Sequence, residues 1–143
     1  MASRDYLIRQ IEEMGLFLAI LLRRILKMKE ENQQEQMETA VREALIQELK
    51  LDIDQVIVLE NEDFLSVVKE HFTSDDQLDK LADILKVIGQ ENRSSSLFAR
   101  ANFLRKSLLL FTYLQHSSAN FSYERKVKIE ELQESIRING LTG

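Results

Sequence analysis

Proline is absent from all 143 residues of this chain, and that absence constrains the fold more than any other feature of the sequence. Average usage would give a chain of this length about seven prolines. Glycine occurs only four times, and two of the four lie in the last four residues. Because proline and glycine are the residues that break helices and build turns, the sequence predicts an all-α fold.

Composition and length indicate one helical domain over residues 1–143. Hydrophobic residues make up 44% of the chain and charged residues 30%, which is typical of globular proteins. The absence of cysteine removes disulfides, thiolate nucleophiles and thiolate metal sites. The net charge of −5 argues against a nucleic-acid partner, because phosphate contacts need a basic field.

An apolar run, Met14–Leu22, holds nine consecutive residues with neither a charge nor a polar side chain. It lies inside a helical pattern that extends from about Asp5 to about Lys29. The run is too short for a membrane span, which needs about twenty residues. The acidic residues Glu12 and Glu13 precede it, where a secretory signal would be basic. We therefore expect a cytoplasmic protein, and a helix that needs neighbours on every side.

The chain reads as about six helices joined by short turns, because apolar residues recur at steps of three and four. After the first helix, we expect helices ending near Lys50 and then over 61–72, 75–89, 96–116 and 122–139. The β-branched segment 51–59 is predicted as a short helix or turn. Side chains that cap helix starts are expected at Ser3 or Asp5, Asn61, a hydroxyl within 73–76, and Ser122. Residues 1–59 supply an apolar and an amphipathic helix, and residues 60–143 supply helical hairpins.

In the second half, Leu85, Ile88 and Gly89 are followed, twelve residues after the glycine, by Ala101. This spacing of large, apolar and small residues resembles the tetratricopeptide repeat. The resemblance covers roughly residues 78–137 with one recognisable repeat. It implies antiparallel helical hairpins stacked side by side and a protein-binding role, but no particular ligand.

The repeat-like segment departs from that family at two positions. Arg105 stands where the family has a large aromatic residue, and Leu108 stands where it has alanine. The whole chain, with its opening segment 5–12, resembles small uncharacterised bacterial all-helical proteins that end in such a hairpin. That resemblance implies no enzymatic activity.

Residues that carry chemistry are sparse, so we expect no catalytic, metal-binding or cofactor-binding residue. The two histidines, His71 and His116, fall near predicted helix ends, where a cation offsets the helix dipole. A metal site of His71 with the acids at 75 and 76 is the alternative. The acids Asp52 and Asp54 suggest a calcium loop, but Ile57 stands where that loop requires glycine. The basic residues Arg93, Arg100, Arg105 and Lys106 are expected to form a solvated face, and the alternative is a cationic patch that binds acidic peptides or carboxylate groups.

Two functional hypotheses remain. The first is a non-enzymatic protein–protein interaction or scaffold module that forms a homodimer, because a domain of this size has little room to surround an all-apolar helix. The expected self-association face comprises Leu16, Phe17, Leu18, Ile20 and Leu21. The alternative is a helical domain that binds a small molecule or lipid in an apolar pocket between helices.

Overall fold

The computed structural model describes residues 2–91 and 96–139, which form seven helices and, within those ranges, no strand. The helices are α1 (Ala2–Glu30), α2 (Gln34–Leu49), α3 (Ile53–Val56), α4 (Asn61–His71), α5 (Asp75–Glu91), α6 (Leu97–Ser117) and α7 (Tyr123–Ile138). The predicted all-α fold is confirmed. The seventh helix is α3, which forms the short helix expected within 51–59.

Serine side chains define the starts of three helices. Each hydroxyl accepts a hydrogen bond from a backbone amide in the first turn: Ser74 from Gln77 (3.2 Å), Ser96 from Ala99 (3.1 Å) and Ser122 from Arg125 (3.1 Å). These bonds satisfy amides that have no partner within the helix. The expected hydroxyl cap within 73–76 and the expected cap at Ser122 are confirmed.

The other two predicted caps are wrong. The first helix already begins at Ala2, so neither Ser3 nor Asp5 precedes it. Asn61 is the first residue of α4 rather than the residue before it, and Glu60 occupies the capping position without a side-chain bond. The Asn61 side chain instead accepts a hydrogen bond from Nζ of Lys106 at 3.1 Å, because α6 brings that lysine to the start of α4.

Helix α5 lies at the centre of the fold and packs against α1, α2 and α6. It is antiparallel to α6, and the Ser107 hydroxyl on α6 donates a 2.7 Å hydrogen bond to the carbonyl of Ala82. The two helices approach closely at Gly89, where a Cβ atom would lie only 2.7 Å from Cδ2 of Leu104. The small residue at this position therefore admits a large side chain from the second helix.

Helix α7 turns back along α6 and runs parallel to α5. Ion pairs join α7 to α5 at three successive levels: Arg125 with Asp79, Lys128 with Asp83, and Glu131 with Lys86. The partners step along both helices together, which fixes the two helices in a parallel register.

Helix α1 also runs parallel to α5 and extends beyond it. Nε2 of Gln77 donates a 3.0 Å hydrogen bond to the carbonyl of Ile11, and Lys29 pairs with Glu91 at 3.2 Å near the other end. At 1.5 Å per residue, α1 is about 43 Å long and α5 about 25 Å. The residues before Ile11 therefore project past the start of α5.

The buried residues form one continuous cluster that extends from Leu18 on α1 to Ile136 on α7. The apolar run Met14–Leu22 contributes two fully buried leucines to it, Leu18 and Leu21. Within the single chain this run does not have neighbours on every side, because Leu16 and Ile20 on its outer surface are exposed. Helix α5, rather than the apolar run, is surrounded by other helices.

Candidate functional site

A single apolar stripe follows the length of α1. Its members alternate at steps of four and three residues: Leu7, Ile11, Met14, Leu18, Leu21, Ile25 and Met28. This spacing places all of them on one face of a helix and is the spacing that lets one helix pack along another. We call this set the α1 stripe.

The two halves of the α1 stripe have different surroundings. In the C-terminal half, α2 and α5 cover the stripe, and Leu18 is 0% exposed. In the N-terminal half, Leu7 is 56% exposed and Ile11 45%. One continuous apolar surface is therefore core at one end and open at the other.

Two more apolar side chains border the uncovered half of the stripe. Tyr6 and Ile8 are both about half exposed, and Met14 lies half-buried where the cover begins. We call Tyr6, Leu7, Ile8, Ile11 and Met14 the open face. Every residue from Arg4 to Glu13 is exposed, so none of the described helices covers this part of α1.

A groove of about 600 Å³ lies beside the open face. On one side it is lined by Leu7, Gln10, Ile11, Glu13, Met14 and Phe17 of α1. The opposite wall consists of Glu48 and Leu49 at the end of α2, His71 at the end of α4, Thr73, and Gln77 of α5. The groove is thus a channel between the projecting part of α1 and the ends of three other helices, and its lining combines apolar side chains with polar ones.

Gln77 holds the groove wall to α1. Its side chain is buried, and its Oε1 accepts a 2.9 Å hydrogen bond from the backbone amide of Thr73. Its Nε2 donates to the carbonyl of Ile11, as described above. The oxygen and the nitrogen of the side-chain amide therefore both have a hydrogen-bond partner. These bonds hold the first turn of α5 beside Ile11, where α1 begins to project from the core.

The electrostatics of the open face favour an apolar partner. The positions that flank the α1 stripe on either side are Ile8, Gln10, Gly15 and Phe17, and none of them is charged. Arg9 and Glu12 lie on the far side of the helix at 100° per residue, whereas Glu13 lines the groove and Arg4 continues the stripe's spacing. A helix packed on the stripe would therefore meet uncharged side chains along most of its edges.

The structure divides the five residues of the expected self-association face. Phe17 lines the groove, whereas Leu16 and Ile20 are exposed on the side of α1 that faces away from it. Leu18 and Leu21 are core residues, so the expectation that they form part of a surface face is wrong. A run without polar residues has no periodicity to show which of its members face inward. The apolar residues that recur at steps of four and three from Leu7 onward indicate which side chains of the run are buried.

The polar clusters singled out from the sequence do not assemble into a site. Among the described residues, no three His, Cys, Asp or Glu side chains are grouped so that they could hold a metal ion. Of the residues in the alternative cationic patch, Lys106 is buried, and Nε of Arg100 donates to the carbonyl of Gly89 at 3.3 Å. Arg93 lies outside the described residues.

Comparison of the chain with protein-family models, with curated proteins and with solved structures finds no match. The resemblance to the tetratricopeptide repeat and the expected bacterial origin therefore stay expectations. Within residues 2–91 and 96–139, none of the helices has the length and apolar character needed to cross a membrane.

Proposed function

We propose that this protein is a non-enzymatic interaction module that self-associates through the open face of α1. One observation carries the proposal: the stripe that α2 and α5 bury from Leu18 onward continues uncovered through Ile11 to Leu7. Exposed apolar patches of more than a few hundred Å² on soluble proteins mark interaction sites. An open continuation of the core is such a patch.

The size of the open face suits a dimer. Four of its side chains are about half exposed, which amounts to about 400 Å² of apolar surface if a fully exposed large side chain presents about 200 Å². Apolar atoms make up about 60% of a typical interface, so two copies would bury about 1,300 Å² in total. That total lies at the lower end of specific interfaces, and we expect a dissociation constant in the micromolar range.

Multi-angle light scattering on two charge-introducing variants tests the proposal. Ile11→Glu places a carboxylate in the middle of the open face, and Leu16→Glu places one on the outward side of the same helix. Leu16 is the more exposed of the two, at 61%, so the control substitution is at least as well tolerated by the fold. We expect a monomer for Ile11→Glu and a dimer for Leu16→Glu. Equal masses for both variants would show that the open face is not the self-association surface.

Binding of a small molecule or lipid in the groove is the second candidate function. The volume of the groove, about 600 Å³, lies within the range of about 300–1,000 Å³ that is usual for ligand sites. Polar groups for such a ligand are supplied by Gln10, Glu13, Glu48 and His71, beside the apolar side chains of α1. Native mass spectrometry of the freshly purified protein separates the two candidates, because a co-purified metabolite or lipid would add mass to the single chain.

A further inference from the structure

We propose that two copies of the chain pair through α1 in antiparallel orientation, with Leu7 of each copy against the partner's Ile11. This inference rests on the proposed self-association and adds the geometry of the pair. Each copy then places the projecting part of its α1 over the open face of the other. The contact is isologous, since Leu7 meets the partner's Ile11 and Ile11 meets the partner's Leu7.

The cover on the C-terminal half of the α1 stripe excludes a parallel pair. In a parallel pair the partner's α1 would continue alongside residues 18–28 of the first copy, on the face that carries the stripe. That space is already filled, because α2 and α5 bury Leu18, Leu21 and Ile25 there. An antiparallel partner runs the other way, so that its residues beyond Met14 lie past Arg4 of the first copy and away from the part of α1 that α2 and α5 cover.

The ends of the open face set the register. The stripe repeats every seven residues, so equivalent registers differ by seven residues. Shifting the partner by seven residues toward the core would place its Leu7 on Leu18, which is 0% exposed. Shifting it by seven residues outward would place the partner's Leu7 on Arg4, the residue that precedes Leu7 in the stripe's spacing. Of these three registers, the pairing of Leu7 with Ile11 is the one that uses both open stripe positions of each copy and leaves the buried residues undisturbed.

The middle register also suits the residues at its edges. It places Arg4 of one copy over the half-buried Met14 of the other, where the aliphatic part of the arginine can pack while its guanidinium stays in water. Beside this layer lie the uncharged flanking positions Ile8 and Gln10, so the two helices do not repel each other.

Disulfide cross-linking tests the pairing, and the absence of natural cysteine gives it a clean background. The single variants Leu7→Cys and Ile11→Cys are each oxidised alone. The two variants are also mixed, their dimers are dissociated and allowed to form again, and the mixture is then oxidised. In the antiparallel pair, positions 7 and 11 lie opposite each other. Each Cα atom lies about 2.3 Å from its helix axis, so facing Cα atoms of helices with axes 8–10 Å apart are only about 4–5 Å apart. Two copies of position 7 are offset by a further 6 Å or so along the axis, which increases their Cα separation to about 7–8 Å, at or beyond the roughly 7 Å limit of a disulfide.

We expect a covalent dimer from the mixture and none from either variant alone. Trypsin cleaves after Arg4 and Arg9, so the two introduced cysteines fall on different peptides, and the linked pair can be recognised by mass. Leu16→Cys serves as a control for random oxidation, and it should give no covalent dimer.

Two other outcomes would overturn the pairing. Covalent dimers from each variant alone, without the mixed species, would show a parallel arrangement. Dimers by light scattering that give no disulfide in any sample would show that the copies associate elsewhere, so that self-association would stand and this geometry would not. A wild-type protein that is monomeric by light scattering would contradict the proposed self-association itself.

Discussion

Arg125 on α7 binds Asp79 on α5 through two hydrogen bonds, from Nε to Oδ1 at 3.0 Å and from Nη2 to Oδ2 at 2.7 Å. The remaining guanidinium nitrogen, Nη1, donates to Oε1 of Gln115 at 3.1 Å. The arginine is almost fully buried, and the hydrogen bonds from its guanidinium to Asp79 raise its pKa. This contact attaches α7 to the central helix.

Asp79→Ala should destabilise the fold by about 2–3 kcal/mol, because it leaves the buried guanidinium of Arg125 without its counter-charge. The measurement is the free energy of unfolding in urea. Asp83→Ala is the matched control, since it removes the more exposed pair with Lys128 one turn along the same helices and should cost less than about 1 kcal/mol. Equal losses would mean that the burial of Arg125 does not decide the strength of the contact.

Gly89→Ala should also destabilise the fold, by about 1–2 kcal/mol, although alanine favours a helix over glycine by up to about 1 kcal/mol. The added methyl group would lie 2.7 Å from Cδ2 and 3.2 Å from the backbone nitrogen of Leu104, so α5 and α6 must move apart. At Gly15 the nearest atom outside the helix, Oδ2 of Asp76, is 3.9 Å from an added Cβ. Gly15→Ala should therefore raise the melting temperature while Gly89→Ala lowers it, and a rise for both would refute the close approach.

The buried lysine on α6 predicts a pH dependence. Burial lowers the pKa of Lys106, although Asn61 accepts a hydrogen bond from its ammonium group and the Phe64 ring lies 5.6 Å away. Between the folded-state pKa and the unfolded value of about 10.4, the unfolded chain binds more protons, so this group makes stability rise with pH. Below both values, Lys106 is charged in both states, and the folded state bears the desolvation cost.

Lys106→Met should therefore leave the protein as stable as the wild type at pH 7 or up to about 1 kcal/mol more stable. The exposed Asn61 can bond to water when its partner is lost. The difference between variant and wild type should shrink as the pH rises towards 10, which unfolding in urea at a series of pH values would show. Lys126→Met, at an exposed position of α7, is the control and should show no such trend.

Local rules predicted much of the helical framework. The hydroxyls at 73–76 and at Ser122 cap their helices because a serine before a helix has a free amide within reach, whatever the rest of the chain does. Gly89 and Ala101 indicated a close hairpin for a similar reason, since two helices can approach only where one of them carries a small residue. The predicted cap at Asn61 failed because the side chain bonds instead to Lys106, which is 45 residues away in the sequence and cannot be found from local rules.

The candidate site was harder to predict because it depends on which half of a helix is covered. The sequence of α1 carries the same apolar spacing at Leu7 and at Leu18, and only the position of α5 makes one exposed and the other buried. The start of α5 opposite Ile11 is set by the tertiary contact from Gln77. The sequence gives no local sign of that contact.

The mass of the wild-type protein in solution tests the central claim most directly. Sedimentation equilibrium over a concentration series from about 1 to 100 µM should show the single-chain mass of 16.7 kDa giving way to twice that value, with a midpoint in the micromolar range. A mass that stays at 16.7 kDa up to 100 µM would contradict self-association through the open face of α1.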